Sequence, residues 1–518
     1  MLMNFEALGI DYLLVNSTNE FLEEYSNLCE NTRYTVTKFT GSTGDALVAK
    51  TGEIYLFVDG RYHTQAEQEV DENVTLVKLQ TGQKQDEEIK KLISSGAVLG
   101  IVADKNSQER VENFKKDVKV ELLKLDPINS NTEFNTAEIE FLSVELTGKS
   151  FEEKVKDIPK PYFVFNQEEV SYLLNARDFS KNYSSKIQGK LLLTEYENVL
   201  FTDMEVKNCP IDNLAVMPLN AVRNILNSIS YPVNLDKTTI SAGDYSAIMM
   251  AENIVSPVKS TKAVKTLSEL EGYKKAFEAT DKALLATRDF IMNNEASEFE
   301  IAEELEKNFK KFGAKSLSFK SIVAKDKNSA LAHYSKSSKD EIVKDGSLVL
   351  IDCGAYFENG LATDITRVFV KGEPTLEHKK IYTTVLKMFL NAFNTEYREG
   401  LNGYEVDQNA RNLIKYNPVK DYTFGHGLGH GIGINVHEAP PNLSPAEIAK
   451  TTLKNGMCFT IEPGLYNPQT FGVRLENSCY FEDNKIKSFT RMPYESKLID
   501  FDLLNENEIE WLKEFELI

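Results

Sequence analysis

The chain has 518 residues, of which 42% are hydrophobic and 27% charged, with a formal net charge of −20. At about 150 residues per domain this length predicts three to four domains with well-buried cores, and the balance excludes a disordered, collagen-like or disulfide-dense chain. The acidic surplus argues against a groove that tracks phosphates, so no nucleic-acid partner is expected. No stretch is apolar enough to span a membrane, and MLMNFEALGIDYLLV carries acids where an export signal would carry Lys or Arg. Cys29, Cys209, Cys353, Cys458 and Cys479 are odd in number, scattered and without a CxxC pair. They fit a reducing compartment and not a thiolate zinc site. A cytoplasmic protein without membrane association is expected.

In chain order, GIDYLLV at 9–15 and EIYLFVD at 53–59 read as strands, and the segment after Asn19 as helical. The polar stretch 136–160 reads as a linker. The pattern then restarts: PYFVFNQEEVSYLL followed by KLLLTEYENVLFTD echoes DYLLVNSTNEFLEEY followed by DALVAKTGEIYLFVD. This predicts two copies of one α/β unit. Near 260 a third region begins. Ser268 with Glu271, and Ser297 with Glu300, fit the capping box. Leu270, Phe277, Leu284 and Ile291 mark one helix face, and Ile301, Leu305 and Phe309 the next. These two helices are expected to cover one face of a sheet.

Residues 347–370, SLVLIDCGAYFENGLATDITRVFV, read as a hairpin. Alternation places Leu348, Leu350 and Asp352 on one face and Asp364, Thr366 and Val368 on one face of the partner, so the two aspartates can meet. GMCFTIEPGLYNPQTFGVRLENS repeats the device, with Glu462 ending one strand and Gly472, Arg474 and Glu476 sharing a face of the next. Between the hairpins, FGHGLGHGIGINVHEAPP holds His426, His430 and His437. Four acids inside apolar runs are badly destabilising unless cations sit among them. Two divalent ions would neutralise the four carboxylates. Hard oxygen ligands with an imidazole favour manganese, with cobalt or zinc fitting the same donors. Paired ions at short separation can share a bridging hydroxide that is nucleophilic at neutral pH.

At these residues the chain resembles the pita-bread metallopeptidases, specifically the three-domain, cytosolic Xaa-Pro aminopeptidase branch. RYTVTKFTGSTGDALV and VDGRYHTQA resemble its N-terminal domain, YLLNARDFSKNYSSKIQGKLLL its second, and YESKLIDFDLLNENEIEWLKEF its C-terminal tail. The resemblance implies an α/β (α+β) architecture. Two creatinase-like α/β domains, 1–135 and 136–260, would precede a pita-bread catalytic domain with tail, 261–518. It implies that Asp352 binds one metal, His430 and Glu462 the other, and that Asp364 and Glu476 bridge both. Glu462 would also take a proton from the attacking water. His333, His426 and His437 would contact the substrate carbonyl, and Arg474 would lie beside the site. The implied activity is removal of the N-terminal residue from peptides with proline second, by a homodimer. The alternatives are a prolidase confined to dipeptides and a catalytically silent peptide-binding relative. His63 and His378 read as surface residues, and Cys353 as core. Asp352 to Asp364 is one residue longer than the family's usual spacing; an extra loop residue or bulge would absorb it, whereas a register shift would turn one aspartate away. The segment from His430 to His437 is two residues shorter than in close cytosolic members, which alters the implied pocket rim.

Overall fold

The computed structural model of the chain describes residues 4–25, 28–80, 82–128 and 135–518. The chain divides into two compact units, one made of 1–141, 151–176 and 187–257, the other of 142–150, 177–186 and 258–518. No described helix is long and apolar enough to cross a membrane.

The first unit carries two six-stranded sheets. One contains β1 (Tyr12–Val15), β2 (Ala46–Ala49), β3 (Ile54–Val58), β4 (Val74–Lys78), β5 (Val98–Val102) and β6 (Lys119–Leu123), in the order β4-β3-β2-β1-β5-β6. The other contains β7 (Tyr162–Val164), β8 (Lys190–Leu193), β9 (Asn198–Phe201), β10 (Leu214–Met217), β11 (Val233–Leu235) and β12 (Ala251–Asn253), in the order β10-β9-β8-β7-β11-β12. Each sheet pairs its first three strands antiparallel and the remaining neighbours parallel. The echo in the sequence is therefore a repeated topology. Two local expectations are corrected. After Asn19 the chain turns instead of forming a helix, because the Asn19 side chain accepts from Phe21 and Glu23 N–H groups and Leu22 sits at φ +58°. The stretch 136–160 carries short helices at Val144–Thr147 and Phe151–Val155.

In the second unit, β13 (Ile322–Lys325), β14 (Leu348–Cys353) and β15 (Ile365–Val370) form an antiparallel sheet with β14 central. Helices α1 (Leu267–Asn293) and α2 (Glu298–Lys311) bury Leu284, Ile291, Ile301, Leu305 and Phe309 against Val349, Ile351, Cys353 and Phe369. The alternate residues Leu348, Leu350, Val368 and Val370 enter a second core with Leu386 and Phe389 of α3 (Leu376–Phe393). A sheet buried on both faces explains why these strands read as continuous apolar runs. Cys353 falls in the helix-side core, as alternation requires. The Ser297–Glu300 capping box is present. The first helix, however, is boxed by Thr266 and Glu269, two residues earlier than expected. Thr266 wins because its hydroxyl also donates to Thr147 O at 3.0 Å.

Candidate metal centre

The site is assembled where two hairpins end. The β14–β15 ladder runs without interruption from Leu348↔Val370 to Cys353↔Ile365, and Tyr356 bridges Ala362 in the same register. Asp352 stands opposite Thr366, and Asp364, two pairs further on, shares its face. The extra residue between the aspartates therefore leaves both pointing to the same side. Gly354 makes the close approach feasible, since a Cβ there would lie 1.8 Å from Thr363 O.

The second hairpin is split by Pro463, which lacks an N–H. Strand β18 (Cys458–Ile461) pairs with β21 (Asn477–Glu482), while β19 (Gly464–Tyr466) pairs with β20 (Gly472–Arg474). The register is the same on both sides of the break, which puts Glu462 opposite Glu476. Glu476 N–H donates to Thr366 O at 3.1 Å, tying this hairpin to the first. His430 arrives on β16 (Gly429–His430), paired with β17 (Asn442–Leu443). A Cβ on Gly429 would lie 2.0 Å from Thr460 O, so only glycine lets β16 press against β18. A bond from His430 N–H to the Thr460 hydroxyl Oγ1 at 3.1 Å and a backbone bond from Glu462 N–H to Leu428 O at 2.7 Å hold the two residues together.

Ligand atoms of Asp364, His430 and Glu476 all lie within 4.8 Å of one another. His430 Nε2 is 3.5 Å from Asp364 Oδ2 and 3.6 Å from Glu462 Oε1. Its Nδ1 lies 3.0 Å from Gly431 O, which fixes the proton there and leaves Nε2 as a lone-pair donor facing the acids. Asp352 Oδ2 accepts from Arg474 Nη2 at 2.6 Å, while its Oδ1 is buried with no hydrogen-bond partner. His437 packs edge-on to His430 with ring centroids 4.4 Å apart. Its loop is held by Glu438, which accepts from Ile434 N–H at 2.9 Å and from Lys265 Nζ at 2.5 Å.

Two residues not singled out from sequence complete the network. Thr366 Oγ1 donates to Glu476 Oε2 at 2.7 Å and accepts from Arg474 Nε at 3.1 Å. Tyr466 Oη accepts from Arg474 Nη1 at 2.9 Å and lies 2.8 Å from His426 Nε2. His426 Nδ1 is 2.8 Å from Gly427 O, so Tyr466 donates to His426. Thr366 shares a strand face with two acids, a signal that could have flagged it; nothing near Tyr466 in the sequence points to its role. His333 is half-buried just past the 3-10 turn Asp326–Ala330, where Ser329 Oγ accepts from Gly472 N–H at 2.9 Å. His63 and His378 are half-buried instead of fully exposed: His63 Nε2 lies 3.1 Å from Leu79 O, and His378 packs edge-on against Phe471.

Charge makes this cluster costly by itself. Burial, then the neighbouring Glu476, Asp352 and Glu462, pushes Asp364 well above the usual carboxylate range. Burial and Asp352 raise Glu476 to about 8, and burial raises Asp352 against the pull of Arg474. Burial alone would lower the Arg474 guanidinium, yet Tyr466, Asp352 and Glu462 around it raise it well above its ordinary value. Acids that resist ionisation, a vacant carboxylate oxygen and an aimed imidazole lone pair form a donor set suited to hard divalent cations.

The fold of the second unit is that of a pita-bread metallopeptidase. Residues 271–483 match the profile of metallopeptidase family M24, and residues 2–131 that of the creatinase/prolidase N-terminal domain. The chain thus carries a peptidase M24 domain behind a creatinase-type N-terminal domain. Over 98% of its length it is 28% identical to a protein of Laccaria bicolor named "Probable Xaa-Pro aminopeptidase P", covering 87% of that protein. A Coprinopsis cinerea protein of the same name is also 28% identical, with 98% and 91% covered. The crystal structure of X-prolyl aminopeptidase from Caenorhabditis elegans, described as a cytosolic enzyme with a di-nuclear active site, superposes with TM-score 0.88 at 22% identity, covering 99% of this chain and 92% of that one.

Proposed function

We infer that this chain is a metal-dependent aminopeptidase that releases the N-terminal residue from peptides with proline at the second position. The observation that carries the reading is the convergence of Asp364, His430 and Glu476 within 4.8 Å, flanked by Asp352 and Glu462, inside an M24 domain. The near full-length similarity to proteins named Xaa-Pro aminopeptidase P supports the substrate class. Asp352 would hold one cation, His430 and Glu462 the second, with Asp364 and Glu476 between them. Manganese suits these donors best, and cobalt or zinc fits the same set. Two bound cations would supply Lewis acidity and lower the pKa of water toward neutrality.

The chain's own groups do the rest. Glu462 accepts the proton from the attacking water. His333, His426 and His437 face the scissile carbonyl and stabilise negative charge on its oxygen. Tyr466 holds the His426 ring. The nitrogens of the Arg474 guanidinium are engaged by Asp352, Thr366 and Tyr466, so we give Arg474 the task of orienting Asp352 and not of gripping substrate. Three domains at 1–135, 136–260 and 261–518, a homodimer and a cytoplasmic location belong to the same reading. The repeated sheet supports the first boundary, and the nematode neighbour's cytosolic description supports the last point.

The test is cleavage of Xaa-Pro-Xaa tripeptides by chelated protein with and without added manganese. Metal-dependent release of the first residue is expected, and no release under either condition refutes the reading. Cleavage of Xaa-Pro dipeptides alone would make the protein a prolidase. Glu462→Gln is expected to abolish turnover, and retained activity would overturn the role given to Glu462.

A further inference from the structure

Glu298, the first residue of α2, is fully buried. Its carboxylate receives four hydrogen bonds, two on each oxygen. Oε1 accepts from Lys325 N–H at 2.7 Å and Asn328 Nδ2 at 2.9 Å. Oε2 accepts from Tyr334 Oη at 2.7 Å and Ser338 N–H at 2.8 Å. Asn328 Nδ2 also reaches Tyr334 Oη at 3.1 Å. The position at a helix N-terminus favours the anion further, and charge-assisted bonds of this kind are the strong ones.

The donors are not scattered. They come from the entry, the middle and the exit of the segment 325–338, which starts on the last residue of β13 and has the 3-10 turn Asp326–Ala330 as its only other regular element. A segment with so little backbone structure takes its shape from side chains. At its far side Ser329 fastens it to Gly472, two residues from Arg474. His333 is the neighbour of Tyr334, which Glu298 holds directly.

We propose that Glu298 is a positioning residue: its carboxylate shapes the segment 325–338 so that His333 is presented to the substrate. This rests on the role given to His333 above. In Glu298→Gln the amide keeps the size of the side chain, but its NH2 group meets donors in place of an acceptor, so one end of the segment is released. Both Glu298→Gln and His333→Ala are expected to lower kcat/KM on a Xaa-Pro-Xaa tripeptide by about 100- to 1,000-fold, with bound manganese unchanged. The double variant should be no worse than His333→Ala alone, because the two changes remove the same contact.

A general structural defect would multiply the two factors instead, and that result overturns the proposal. So does a Glu298→Gln enzyme within twofold of the parent while His333→Ala is impaired. If His333→Ala is itself silent, the role of His333 falls first and this proposal with it. Tyr334→Phe, which removes only one of the four bonds, provides the same cycle should Glu298→Gln fail to fold. A loss that vanishes in the His333→Ala background supports the proposal, and one that persists refutes it.

Discussion

Removing cations from the cluster should make the protein less stable as pH rises, and the size of the effect follows from Glu476. In the unfolded chain this carboxyl ionises near its ordinary 4.5, whereas burial and the charge of Asp352 raise it to about 8 in the folded protein. Between those values the metal-free folded state holds a proton that the unfolded state has released. Its stability therefore falls with increasing pH, at about 1.4 kcal/mol per pH unit for one such group. Across the whole interval the loss is on the order of 5 kcal/mol. Asp364 and Asp352 shift in the same direction and add to it. Divalent ions bind the ionised ligands, so their stabilisation grows over the same range. Urea unfolding can be followed by fluorescence of Trp511, the sole tryptophan, which packs against the core of the second unit. Measured from pH 5 to pH 8 with chelator or with manganese, the gap between the two stabilities should widen steadily. Parallel curves would refute the argument that these acids are buried for cations, as would metal-free stability that rises relative to the loaded protein. Glu476→Gln should flatten the metal-free curve.

Thr366→Val keeps the shape of a fully buried side chain but deletes its bonds to Glu476 and Arg474. Metal affinity should weaken about 10- to 100-fold in calorimetric titration, and affinity within twofold of the parent would remove Thr366 from the site. Gly429→Ala puts a methyl 2.0 Å from Thr460 O, forcing β16 off β18. A cost of about 3 kcal/mol in urea unfolding is expected, together with loss of manganese binding; an unchanged midpoint would show that β16 can shift freely.

Much of the centre was legible because charge inside an apolar strand is rare and costly. Asp352, Asp364, Glu462 and Glu476 stand out on that ground alone, and strand parity already allowed Asp352 and Asp364 to meet. The helices over the sheet were legible from the spacing of Leu270, Phe277, Leu284 and Ile291, all buried here. Their start was not, because Thr266 with Glu269 and Ser268 with Glu271 are equivalent locally, and a bond to Thr147 chose between them. Glu298 was invisible for a related reason. A glutamate beginning a helix usually faces water, and only four donors brought in by the following segment show that this one does not.

What the sequence determined by itself is therefore whatever depends on neighbours at fixed separations: strand faces, helix stripes, the repeated sheet and the four acids set inside apolar runs. The tertiary structure decided which groups Thr366, Tyr466, Arg474 and Glu298 serve. A hydrogen bond needs its partner within about 3 Å, and that partner often lies a hundred residues away along the chain, where no local periodicity records it.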